Sequence, residues 1–238
     1  MARAGRMKKR VLGTSVLVLI IALSARFGFT VVPIEQVTEQ RLAEAFDAAT
    51  FVDEMWESRI LPAIDEAAVD LSLVLNEWAV GSDGFAVTDD LIETAQRYGV
   101  ITTGQAHIYL VTATGTVTAV NTETSLGTIT VDIDGYQGPV SVVLFAGPRI
   151  PSDDSSIRDG VQFIQFGDFR DQTEYGRVAG EINRRVVRDV LEPISAPDLL
   201  GQRIRFTGSF TVRTFNLVRI DLNQIRVIAT RLSVESDG

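Results

Sequence analysis

The chain has 238 residues, room for one or two domains, with 22 Lys plus Arg against 31 Asp plus Glu and a formal net charge of −9. At 45% apolar and 22% charged residues its composition is globular, which excludes a disordered or fibrous chain. It has no Cys and one His, so disulfides, thiolate zinc sites, a thiol nucleophile, a lipobox cysteine and multi-histidine metal sites are excluded together.

The first 26 residues hold six cations (Arg3, Arg6, Lys8, Lys9, Arg10 and Arg26) and no acid. The basic head runs into an apolar stretch from Val11 to Ala25, the layout of a signal peptide. That stretch is short for a membrane span, which needs about 20 residues. Apolar residues resume from Phe27 to Ile34, however, and Arg26 near a helix end reaches the interface at modest cost. Residues 1–34 therefore read as an uncleaved membrane-anchor helix, or else as a cleaved signal with a small-x-small site at Ala22-Leu-Ser24. A soluble protein with a buried first helix is the third reading. In either of the first two the cations stay on the cytoplasmic side and the body lies outside. Residues 27–238 hold 16 cations against 31 acids, a net −15. Such a body repels phosphates, which excludes ordinary electrostatic nucleic-acid binding. Partners are expected among proteins, small molecules or divalent cations, with membrane contact through the N-terminal helix.

Residues 35–100 read as a helical segment. Trp56, Ile60, Ile64, Ala68, Leu71, Leu75 and Trp78 recur every three or four residues, and Pro62 predicts two helices or one kinked helix, changing direction near Leu61. Acids between 53 and 70 fall mostly between them, and a solvated helix face explains these better than paired carboxylates or a cation site. Gly81 to Gly84 is a loop, and Asp89 to Tyr98 is a short helix, with Asp90 and Glu93 at capping spacing and Gly99 as its stop. The period then changes to two. Ile129, Val131 and Ile133 alternate with polar residues, as do Ile204, Phe206, Phe210 and Val212, which marks antiparallel strands with one buried face. Further strand runs are 107–120, 140–145, 161–166 and 217–234. A helix over 171–191, burying Tyr175, Val178, Ile182, Val186 and Val190 and braced by Glu181 and Arg185, separates the earlier strands from the later ones. The expected fold class is α+β: an anchor over 1–34, helices over 35–100, and over 101–238 an OB-like antiparallel β-barrel with an inserted helix. A plain barrel with a plugging helix gives the same order.

Three stretches together resemble one family. They are Phe46 to Trp56 with Ile60-Leu-Pro62; Ile157-Arg-Asp-Gly160 with Phe166-Gly-Asp-Phe169, Gln172, Tyr175 and Asn183; and Leu200 to Phe210. The family is domain of unknown function 2291, the predicted periplasmic lipoproteins. The likeness runs from about residue 30 to the end. It implies an OB-like domain outside the cytoplasmic membrane, associated with sugar ABC importers and without an assigned activity. The chain departs from the family in lacking a lipobox cysteine and in its loop Pro151 to Ser156.

Candidate chemistry is sparse. His107 is a lone histidine at a strand start. Asp132-Ile-Asp-Gly135 would need calcium ligands through a twelfth position that falls on Val143, so it reads as a strand end and turn. Phe166, Phe169 and Tyr175 have spacings that suit a core, and aromatics beside polar groups also make sugar platforms, the second reading here. Arg158 and Asp159 are the strongest pair: an arginine forks onto a carboxylate or phosphate, and the Asp orients it. The other reading is an internal salt bridge, with Arg170 or Arg177 as further partners. Gln172 and Asn183 lie three turns apart on one helix face. The sequence favours a non-enzymatic binding or accessory protein over a hydrolase using Asp159 and Asp168, with no cofactor and no metal.

Overall fold

Asp47 opens the first described helix by accepting the amides of Ala49 and Thr50. The computed structural model describes residues 46–235, and the expected anchor over 1–34 lies outside them. Among the described residues, no helix is long and apolar enough to cross a membrane. Helix α1 (Ala48–Met55) passes into a π-helical turn (Trp56–Ile60) and then α2 (Leu61–Ala67). Of the two helices or one kinked helix expected around Leu61, the structure shows a helical run interrupted by this π-helical turn. The amide of Leu61 reaches back five residues to Trp56 O, and this wide turn carries the chain past Pro62 at the start of α2. The helix ends only at Ala68.

Strand β1 (Val69–Asp70) and helix α3 (Leu71–Glu77) follow, the latter capped by Asp70. Then come β2 (Phe85–Val87), α4 (Thr88–Tyr98) and β3 (Val100–Ile101). Helix α4 ends at Gly99 as expected, but it begins at Thr88 with no side-chain cap. Strands β4 (Ala106–Asn121), β5 (Thr128–Ile133) and β6 (Ser141–Phe145) form a meander. After it come the short helix α5 (Ser156–Gly160) and the long helix α6 (Gln172–Val186), which ends in a second π-helical turn (Val187–Leu191). Strands β7 (Arg203–Arg213), β8 (Arg219–Asp221) and β9 (Gln224–Val234) complete the described chain.

The pairing runs β4-β5-β6-β9-β7, and β7 pairs back onto β4, so five strands close a ring. Within that ring β6 and β9 are parallel, and the other neighbours are antiparallel. The crossover between β6 and β7 carries α5 and α6. Ring closure demands bending, and β9 supplies an extra residue, Thr230, opposite the Thr207/Gly208 step of β7. The alternating residues point as read: Ile129, Val131, Ile133, Ile204, Phe206, Phe210 and Val212 are all buried. Leu71, Val74, Leu75 and Trp78 from the α3 region and Leu91 and Ala95 from α4 join the same core. The expected strand over 161–166 is absent. Val161 and Ile164 are buried three apart, a helical spacing, and the segment turns into a 3-10 helix at Phe166–Asp168. The expected Glu181–Arg185 brace is also replaced: Arg184 takes Glu181, while Arg185 binds Asp53 and Asp189.

Candidate functional site

Helix α5 is five residues long, so its position comes from its neighbours and not from helix propensity. Asp154 Oδ1 accepts the Ser156 amide at its start. The Ser156 hydroxyl meets that of Ser209 on β7 at 2.8 Å, both groups fully buried. A Cβ on Gly160 would come within 2.9 Å of Leu110, so the helix lies flush on β4. This anchoring turns Arg158 and Asp159 toward α6.

Arg158 is 8% exposed. Its Nε donates to Asp159 Oδ1 at 2.7 Å, its Nη2 lies 2.6 Å from the same oxygen, and its Nη1 donates to Tyr175 O at 3.0 Å. The guanidinium also stacks 3.5 Å from the centre of the Tyr175 ring. Asp159 Oδ1 accepts the Tyr175 hydroxyl as well, and Oδ2 accepts that of Ser155 at 2.7 Å. Burial, and then the Asp159 charge, push the Tyr175 phenol upward, which keeps it a donor. Neither Arg170 nor Arg177 shares in the pair; Arg170 binds Glu174.

The four site residues singled out in the sequence are only partly brought together. Arg158 and Asp159 form one unit. Asn183 is buried and donates to Pro151 O and Asp154 O, which fixes the loop entering α5. Gln172, eleven residues earlier on α6, is exposed and lines none of this.

Arg158, Asp159 and Tyr175 form the floor of an open cleft of 680 Å³. Thr102, Thr103 and Gly104 make one wall, and Gln162, Gln165 and Phe166 make the other. Phe166 is 54% exposed, with its ring edge-on to Tyr175 at 5.7 Å, so it is a wall and not the core residue its spacing suggested. Gln162 holds φ +60°, a conformation that costs energy without Gly, and its carbonyl accepts from Gln165 Nε2. At the rim, Arg213 meets Asp153 at 3.3 Å. Gln162 and Arg213 carry no signal in the sequence, whereas Phe166 carries an aromatic signal that suits either a core or a sugar platform. Asp168 accepts the amide of Gln165 and closes its own turn. Among the described residues, no three His, Asp or Glu side chains converge as a metal site. His107 is buried on β4 with Nδ1 unpartnered, and burial lowers its pKa.

A search of curated proteins finds no match in sequence. In structure the chain is similar to a crystal structure described as an OB-fold protein from Thermotoga maritima, with a TM-score of 0.59 and 19% identity, covering 80% of this chain and 99% of that one. At that identity the likeness speaks for the fold alone. The family pattern described as "Predicted periplasmic lipoprotein (DUF2291)" matches residues 16–228, and the chain belongs to that family.

Proposed function

We propose that the protein is a non-enzymatic binding or accessory protein outside the cytoplasmic membrane, and that it engages a partner protein or small ligand through the cleft above Arg158 and Asp159. The five-stranded ring beneath the cleft is read as an OB-like barrel, supported by its strand order and its one parallel pair. The observation that carries the binding reading is an exposed aromatic, Phe166, standing over a floor whose charges are already satisfied by one another. Such a floor holds its shape without reacting. An aromatic face beside amides and hydroxyls suits a sugar ring or a partner's apolar side chain. Components of a sugar importer are the partner class suggested by the family resemblance alone.

A carboxylate-dependent hydrolase would need two carboxyls in opposed environments. Asp159 instead receives Arg158, Tyr175 and Ser155, and Asp168 binds its own turn, which supports binding over hydrolysis. The test places a photo-activatable amino acid at Thr103, in the cleft wall, in the full chain in its own membranes. A discrete adduct with an importer component, absent when the same group stands at exposed Leu200, is the expected result. Equal labelling from both positions contradicts the reading.

A further inference from the structure

The seven residues from Arg213 to Arg219 hold two arginines and no acid, in a body that is otherwise strongly acidic. They join β7 to β8 through a tight turn in which the Leu217 amide donates to Thr214 O at 3.1 Å and Asn216 takes φ +57°. Helix α4 clamps this turn from below. The Thr88 amide donates to Val218 O and its hydroxyl to Leu217 O, while the Thr214 hydroxyl donates to Gln105 O. With the backbone pinned, the apolar side chains point into solvent: Phe215 is 62% exposed, Leu217 52% and Val218 78%. Val87 and Ile101, also exposed, line the adjoining groove with Leu217 and Val218. Five of the nine large apolar side chains exposed among the described residues thus gather at one end. Clustering of that kind marks an interaction surface.

We propose that this loop is a membrane finger that inserts Phe215, Leu217 and Val218 into the headgroup boundary of the phospholipid bilayer at the outer face of the cytoplasmic membrane. The proposal rests on the extracytoplasmic placement given above and is independent of the cleft. Charge complementarity selects the occupant. Arg213 and Arg219 flank the apolar tip at the level of lipid phosphates. Their present partners, Asp153 and Asp83, are exposed carboxylates, and such pairs are weak enough for a phosphate to replace. A body held near a bilayer by an apolar N-terminal sequence meets it at high effective concentration, so a small insertion suffices. The pinned turn loses little conformational freedom on insertion.

The test uses the full chain mixed with vesicles of phosphatidylethanolamine and phosphatidylglycerol, carrying Phe215→Trp as a fluorescent reporter. Trp56 and Trp78 are buried and supply a constant background. Leu200→Trp is the control, because Leu200 is exposed beyond the opposite end of β7, whose 11 residues span about 35 Å. The expected result is a shift of the Phe215→Trp emission to shorter wavelength, with several-fold stronger quenching by brominated lipid than by aqueous iodide, and no such change in the control. A Phe215→Trp indole still quenched by iodide while the chain pellets with the vesicles overturns the finger and leaves the placement intact. Failure of the whole chain to pellet likewise overturns the proposal. A blue shift that grows with protein concentration in the absence of lipid assigns the surface to a second copy and likewise overturns the proposal.

Discussion

Arg158 shows how burial decides between two roles that a sequence leaves even. An exposed arginine beside an aspartate is a plausible anion hook, but this one has its carboxylate partner, a carbonyl and an aromatic ring all supplied from within. Its role is to hold α5 against α6 and keep the cleft floor in place. Arg158→Ala leaves Asp159 uncompensated, and Asp159→Asn leaves a buried guanidinium without its charge partner. Each is expected to cost about 3–5 kcal/mol in urea unfolding, the range for breaking a buried pair. A loss under about 1 kcal/mol in both would mean that the pair behaves as a surface one. His107 gives a pH signature. Burial lowers its pKa below the ordinary 6.5, so the folded protein keeps it neutral while the unfolded chain takes up a proton. The unfolded state then binds more protons, and stability falls as pH drops below about 6.5. Unfolding at pH 7.5 and 5.5 should show that loss, and His107→Leu should remove it. An equal loss in the variant would assign it to other groups.

At the level of elements, glycines report where the ring is tight. A Cβ on Gly208, at the register shift of β7, would lie 2.3 Å from Ile228 O, and one on Gly115 in β4 would lie 2.3 Å from Asp132 O. Gly208→Ala and Gly115→Ala therefore force strands apart and are expected to cost at least about 1–3 kcal/mol. Gly176 and Gly180 in α6 have nothing within 4 Å, so Ala there should stabilise by roughly 0.5–1 kcal/mol. Melting temperatures of the four variants separate the two classes, and a stabilised Gly208→Ala would contradict the tight closure. The same elements show what the sequence could and could not reveal. Alternation in β5 and β7 announced their buried faces, because side-chain direction has a fixed period of two. It did not announce Ser209, which has the outward parity yet is fully buried, because the cover over it is α5, 53 residues away in sequence from Ser156 to Ser209. Pro62 showed where the helix is interrupted but not how: a proline removes a helical donor, and a π-helical turn just before it takes up the irregularity.

For the whole molecule, the succession of strands, a helix and more strands was legible from the change of period, but the ring inserts β9 between β6 and β7, an exchange that no local pattern encodes. The cleft was not legible. Its walls come from the turn before β4, the segment after α5 and the end of β7, joined by packing that no local pattern encodes. Of its residues the sequence named Arg158 and Asp159, which build the floor, and favoured a core role for Phe166, which faces the open space. Scaffold and contact are thus carried by different residues, and one measurement tests that separation most directly. Photo-adduct yield from the cross-linker at Thr103 is compared with and without Phe166→Ala, with the melting temperature as the check on folding. Phe166 is exposed, so the substitution should leave melting nearly unchanged while adduct yield falls at least about tenfold, as loss of a central aromatic contact predicts. Undiminished adduct in a protein that melts as before would contradict the claim that this cleft is where the partner binds.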